Sequence, residues 1–210
     1  MICFDLGNVI IECDVDKFYD QMKDFFSEEK YKQLIAMRDI IQTQHDLGIV
    51  TYRNFFEHFD MSLPKEKVDQ ILELWNQAVK PNDEMVELVL DFKKKNYGKI
   101  AYLSNIGFEH SQHLTKSCSE LFDEAILHFS CEVGARKPTK LYFQSFLKEC
   151  HYCNESGWKS SHLLIDDRED NCEMAQRLGF MTFQFSLKDD LNDKSKMKKM
   201  EALMNRYLFE

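Results

Sequence analysis

Four groups of polar residues interrupt the apolar pattern of this chain: Asp5, the pair Ser104-Asn105, Lys137 within Gly134-Ala135-Arg136-Lys137-Pro138, and the acids Asp166-Asp167. Together they offer a carboxylate nucleophile, a hydroxyl beside a backbone N–H, a fixed cation and a second acid pair. Phosphoryl transfer needs each of these. An incoming phosphate dianion is repelled by Asp5, so a divalent cation held between Asp5 and a second acid must neutralise both, and hard oxygen ligands suit Mg2+. Ser104, the backbone N–H of Asn105 and Lys137 would then hold the phosphoryl oxygens as charge spreads over them. Every residue also has an ordinary reading: Asp5 or Ser104-Asn105 as helix caps, Lys137 as a loop lysine, Asp166-Asp167 as acids suited to a helix dipole. What favours the chemical reading is that all four fall in order at successive strand ends.

Those strand ends follow from the pattern around them. Asp5 closes an apolar run, MICF, and precedes a turn-prone Gly7-Asn8 pair and a second apolar run at Val9, Ile10 and Ile11. Short apolar runs bounded by turn residues are the mark of strands buried on both faces. Further strands are expected over residues 99–103, 125–129, 162–165 and 181–185, with helices over 85–95, 139–149, 169–178 and 194–207 and a loop over 130–138. Alternation of this kind predicts an α/β fold with a doubly wound parallel sheet, and right-handed crossovers put every strand's carboxyl end on one edge, where ligands bind. Residues 14–80 differ in style. Apolar positions at Phe18, Met22, Phe25, Phe26, Leu34, Ile35, Met37, Ile41, Tyr52, Phe55, Phe56, Phe59, Val68, Ile71, Leu72, Trp75 and Val79 repeat at helical spacing, which predicts about four amphipathic helices with no strand between them. The expected organisation is a core of residues 1–13 and 81–210 with a helical insert at 14–80.

Composition narrows the function classes. With 210 residues and a net charge of -9, the chain has no basic field for a nucleic-acid backbone or an acidic membrane surface. No run reaches the roughly 18 apolar residues of a membrane span, and no charged leader precedes an apolar segment, so a cytoplasmic protein acting on something small is expected, monomeric or weakly dimeric. The 7 Cys are odd in number and scattered among apolar neighbours, which predicts reduced structural thiols. Cys150 and Cys153 have the spacing of half a metal site, but no second pair follows.

The segments FDLGNVI at residues 4–10, LSN at 103–105, GARKP at 134–138 and IDDREDN at 165–171 resemble the four motifs of the haloacid dehalogenase (HAD) superfamily over essentially the whole chain. The likeness is nearest to the bacterial subgroup with a DLGNV first motif that includes α-D-glucose-1-phosphatase. It implies a Rossmann-like core with a small helical cap after the first strand, and an aspartyl-phosphate intermediate on Asp5. It also implies Mg2+ held by Asp5, the carbonyl of Gly7 and Asp167, with Lys137 supporting catalysis. The phosphate site would draw on Leu6, Gly7, Ser104, Asn105 and Lys137. A small phosphorylated metabolite, a sugar phosphate above all, is the implied substrate.

The chain departs from that family at three places. Gly7 stands where the usual DxD motif has the second acid, Asn171 where many members have another acid near the metal, and Thr139 where an acid often follows Lys-Pro. Without the acid, leaving groups that depart unaided are expected to react best; if alkyl phosphates react as readily, His45 of the insert is the first candidate for the proton. Gln44, His45, Arg53 and Trp75 are the insert's candidates for facing the site. Two other readings stay open: a 2-haloacid dehalogenase, in which Asp5 displaces halide without a metal, and a non-catalytic metabolite-binding protein.

Overall fold

A computed structural model describes residues 1–96, 100–153 and 162–206. In chain order the elements are β1 (Ile2–Phe4), β2 (Ile11–Cys13), α1 (Val15–Gln21), α2 (Glu28–Asp46), α3 (Tyr52–Phe59), α4 (Lys65–Gln77), β3 (Val79–Pro81), α5 (Asp83–Asn96), β4 (Ile100–Ser104), α6 (Phe108–Ser117), α7 (Ser119–Phe122), β5 (Ile126–Phe129), α8 (Ser130–Val133), α9 (Lys140–Cys153), β6 (Leu163–Asp166), α10 (Glu169–Arg177), β7 (Met181–Gln184), α11 (Leu187–Asp190) and α12 (Lys194–Arg206). Five strands form one parallel sheet in the order β5-β4-β1-β6-β7, the Rossmann-like arrangement expected. β1 lies at its centre. The chain leaves it to one side through β4 and β5, then returns to the other side through β6 and β7, which creates a switch point beside β1.

Alternation along the strands divides the core into two layers. Ile2, Phe4, Ile100, Tyr102, Leu163 and Ile165 pack on one face with α5 and α12, whereas Cys3, Ala101, Leu103 and Leu164 pack on the other with α9 and α10. Both faces are covered, so the strands read as continuous apolar runs. A third cluster belongs to α1–α4, where Phe18, Tyr19, Tyr52, Phe56 and Trp75 stack edge-to-face and face-to-face. Thr51 caps α3 through its hydroxyl, which accepts from the Asn54 N–H at 3.1 Å, and Pro64 precedes α4 at its N-cap.

Two features differ from expectation. β2 and β3 pair antiparallel, Ile11 opposite Pro81 and Cys13 opposite Val79, so the helical segment is entered and left through a two-stranded ribbon. Pro81 is tolerated at its end because the ribbon is all edge. Residues 130–138 are not all loop, since α8 forms there and stops at Gly134 in the left-handed conformation (φ 68°). Tyr97 and Gly98 after α5 and the side chain of Cys153 lie outside the described residues, while Cys3, Cys13, Cys118, Cys131 and Cys172 are free thiols. Among the described residues no helix is long and apolar enough to cross a membrane.

α2 comes to rest on the core through one glycine. Gly48 takes φ +70° as α2 ends, and a Cβ there would lie 2.3 Å from the Cys131 carbonyl oxygen of α8. Gly48→Ala therefore meets both an unfavourable backbone conformation, worth about 1–2 kcal/mol, and a clash with backbone. We expect a fall in melting temperature of at least about 2–4 °C by circular dichroism. An unchanged melting temperature would mean that α2 does not seat on α8 in solution.

Candidate active site

Asp5 sits one residue beyond β1, where its N–H still donates to the Ile165 carbonyl at 2.9 Å and so fixes the backbone in the plane of the sheet. Its Oδ1 accepts from the Leu6 N–H at 2.7 Å. The chain then folds back tightly: the N–H groups of Val9, Ile10 and Ile11 all converge on the Leu6 carbonyl, and Asn8 adopts a positive φ of 56°. Asn can take that conformation at small cost, which is what a turn after Gly7 requires. The β4 end presents buried Ser104, followed by Asn105, whose amide bonds both ways to the backbone of Lys137: Nδ2 to the carbonyl at 2.9 Å, and Oδ1 from the N–H at 2.8 Å. Two loops distant in sequence are thereby locked together, with Lys137 aimed inward ahead of a cis Lys137–Pro138 peptide.

The Lys137 ammonium is fully buried between two carboxylates, 2.9 Å from Asp5 Oδ2 and 2.6 Å from Asp166 Oδ2. Burial alone would drive its proton off, but Asp166 and Asp5 outweigh that and hold its pKa above the ordinary value. Burial pushes Asp5 up to about 7, with Lys137 pulling the other way and Asp166 and Asp167 adding repulsion. Asp167 is also raised, by burial and then by Asp166, while a hydrogen bond from Asn8 Nδ2 at 3.3 Å opposes the shift. Asp5, Asp166 and Asp167 bring one carboxylate oxygen each to within 4.8 Å of one another. Three carboxylates against one ammonium leave a local excess of negative charge, and such a cluster of hard oxygens suits a divalent cation.

The two neighbouring acids are not equivalent. Asp166 is committed on both oxygens, Oδ2 to Lys137 and Oδ1 to the Arg168 N–H at 3.0 Å and Asn171 Nδ2 at 2.8 Å. Asp167 is only partly buried and borders the cavity. Asn171 thus braces Asp166, and Thr139 starts α9, its hydroxyl accepting from the Tyr142 N–H at 3.4 Å. A Cβ built on Gly7 meets only Cys13 Sγ, at 3.4 Å, so the turn leaves room for a side chain that the sequence does not supply.

The strand-end candidates other than the fully buried Asp166 line one cavity of about 610 Å3: Asp5, Leu6, Gly7, Ser104, Asn105, Lys137 and Asp167. Its other wall comes from α2 and α4. Of the insert's four candidates His45 and Trp75 line it, but Gln44 does not, and Arg53 is turned away into an ion pair with Asp69 at 2.7 Å. Sequence reasoning missed Arg38, Gln42 and Asp46, which lie on one side of α2 with His45, and also Arg136, which pairs with Asp46 at 3.2 Å and bonds Thr43 at 2.8 Å. The signal available was a second polar stripe on α2 at spacings of three and four, but a polar stripe ordinarily faces water.

No protein-family model matches the chain, and no curated protein does. Solved structures share its fold. A HAD family enzyme from Bacteroides thetaiotaomicron, crystallised as wild type with magnesium and inorganic phosphate, is 24% identical over 91% of this chain and 96% of its own, with a TM-score of 0.70. A predicted HAD-like family hydrolase from Porphyromonas gingivalis is 19% identical over 100% of this chain and 97% of its own, with a TM-score of 0.63. An L-2-haloacid dehalogenase from Xanthobacter autotrophicus with chloropropionic acid covalently bound is 14% identical over 87% of this chain and 76% of its own, with a TM-score of 0.53. At these identities the likeness establishes the HAD fold.

Proposed function

We propose that this chain is a Mg2+-dependent phosphatase of small phosphorylated metabolites that works through an aspartyl-phosphate on Asp5. The observation that carries this reading is the buried Lys137 bridging Asp5 and Asp166, with Asp167 alongside and three carboxylates within 4.8 Å. A nucleophile so placed cannot accept a dianion unless a cation offsets the charge. Asp5, Asp167 and the carbonyl of Gly7 would hold Mg2+, which when bound neutralises the phosphoryl oxygens against these acids. The chain's own groups do the rest. Lys137 keeps Asp5 oriented and faces the transferring group, and Ser104 with the Asn105 N–H completes the set of donors around its oxygens. Residues 14–80 act as the cap that covers the cavity and keeps water from the aspartyl ester. Sugar phosphates are the favoured substrates, on the likeness of residues 4–10 to the DLGNV subgroup.

A panel of phosphorylated metabolites assayed with Mg2+ tests this directly. Turnover should fall by about 10²-fold or more in EDTA and return with excess Mg2+, as expected for a lost charge-stabilising group. Metal-independent release of chloride from 2-chloropropionate would instead mark a dehalogenase, the activity of one structural neighbour. Binding of metabolites with no turnover of either class would mark a non-catalytic protein.

A further inference from the structure

The phosphatase reading leaves the leaving group's proton unassigned, because Gly7 offers no acid beside Asp5. The titratable groups that line the cavity are mostly engaged. Asp14 caps α1 by accepting from the Lys17 N–H at 3.1 Å, Asp16 pairs with Arg38 at 2.6 Å, and Asp46 pairs with Arg136 at 3.2 Å. Burial pushes the Cys13 thiol up to about 12 and the His110 imidazole down to about 3, and His110 is also tied through Nε2 to the Trp75 carbonyl at 2.6 Å. His45 is different. Its Nε2 is held 2.8 Å from Glu109 Oε2, while its Nδ1 is buried with no hydrogen-bond partner among the described residues. A carboxylate on one ring nitrogen and an unpaired second nitrogen is the arrangement of an oriented acid–base imidazole.

The surroundings support that role. Burial works to raise the Glu109 carboxyl, but the hydrogen bond and charge of His45 leave it below its usual range, so it stays ionised. The ring is seated by shape as well: a Cβ on Gly107 would fall 1.9 Å from His45 Cε1, so the glycine two residues after Asn105 makes room for this histidine. Tyr52 on α3 and Trp75 on α4 pack around it, with centroids 4.5 and 5.7 Å away. Tyr52 is neutral, its hydroxyl driven up by burial and bonded to Tyr19 at 2.8 Å. The other charged neighbours are Asp46 on α2 and Arg136 before α9, which pair with each other. Trp75 Nε1, a second buried nitrogen without a partner among the described residues, belongs to a residue of the same cavity wall. Both residues line the cavity, and buried polar atoms left unbonded cost stability, so these two unpaired nitrogens point to a ligand that bonds them.

We propose that His45 protonates the leaving oxygen from Nδ1, with Trp75 Nε1 donating to the same leaving group, in place of the acid that Gly7 lacks. As an Asp5 oxygen bonds to phosphorus, the bond from phosphorus to the leaving oxygen breaks, its electron pair stays on that oxygen, and the oxygen takes the Nδ1 proton and departs as an alcohol. The neutral ring then accepts a proton from the water that attacks phosphorus, the bond to Asp5 breaks, and inorganic phosphate leaves with Asp5 and the imidazolium restored.

The test compares His45→Gln with wild type on a primary alkyl phosphate and on p-nitrophenyl phosphate, whose leaving group needs no proton, in saturating Mg2+. The variant should lose about 10²-fold or more in kcat/KM on the alkyl substrate and less than about tenfold on the aryl one. Its alkyl pH profile should lack the alkaline limb of wild type. Glu109→Gln, which keeps the ring seated but removes the charge favouring its protonated form, should move that limb to lower pH. Equal losses on both substrates, or a limb that does not move, would overturn the role of His45 while leaving the phosphatase reading intact. A wild-type chain inert toward both substrates would overturn both.

Discussion

Replacing Asp5 by Asn is expected to remove turnover, by on the order of 10³-fold or more, and in the same variant to raise the melting temperature of the metal-free protein at pH 8. The first effect follows because an amide keeps the shape of the carboxylate but forms no acyl phosphate. The second follows from where Asp5 sits. Its folded-state pKa of about 7 stands above the ordinary 3.8, so the folded chain holds this proton more tightly than the unfolded chain does. Ionising Asp5 therefore weakens the fold. The penalty is absent below about pH 4, grows through the interval up to about pH 7 and is complete above it. Asn removes the penalty, so the gain should be several degrees at pH 8 and vanish near pH 4. Lys137 loses one partner but keeps Asp166 at 2.6 Å, which limits the offset. Mg2+ should then raise the melting temperature of wild type and not of the variant. A variant that keeps about a tenth of the rate would remove the covalent mechanism, and one that melts lower at pH 8 than at pH 5 relative to wild type would remove the account of Asp5 as a strained acid.

The strand ends were legible because β1, β4 and β6 are covered on both faces. Continuous apolar runs such as ICF and IAYL can hardly be anything else between helices, and the residue where apolarity stops is the one that reaches the sheet's edge. Asp5, Ser104 and Asp166 are such residues, and topology alone gathers them. Lys137 was legible only through its company, as the lysine of a loop that had to come near them. The ribbon was hidden by its size: Ile11–Cys13 reads as the tail of the preceding apolar run, and Val79–Pro81 as the end of a helix. The wall formed by α2 was hidden for another reason. Arg38, Gln42 and Asp46 are polar residues on an amphipathic helix, and nothing local separates a polar stripe facing solvent from one facing a polar cavity. The fit of His45 against Gly107 is a contact between residues 62 positions apart, and neither residue type announces it.

Asp166 and Asp167 are adjacent carboxylates that should fail in opposite ways when truncated. The likeness to the HAD motifs implies Asp167 as the metal ligand, and the hydrogen bonds support that proposal. Both oxygens of Asp166 are occupied, by the Lys137 ammonium, the Arg168 N–H and Asn171 Nδ2, so Asp166 is a structural anion that holds the lysine in place. Asp166→Ala leaves a buried ammonium with Asp5 alone and strips two donors of their acceptor. Breaking a buried pair from one side typically costs about 3–5 kcal/mol, which for a domain of this size is a fall of about 10 °C or more in melting temperature. Asp167 is partly exposed and accepts a single side-chain hydrogen bond from Asn8 at 3.3 Å. Asp167→Ala should therefore leave the melting temperature of the metal-free protein nearly unchanged, or slightly raised as a repelling neighbour of Asp5 is lost. The Mg2+ concentration needed for half-maximal turnover should rise at least tenfold, since the effect should exceed the roughly 10- to 100-fold typical of groups one shell further from a metal. Paired thermal melts and Mg2+ titrations of the two variants read both quantities at once. If Asp166→Ala keeps its melting temperature and carries the larger Mg2+ requirement, the metal ligand is Asp166, and the lysine's grip on it is released when the cation enters.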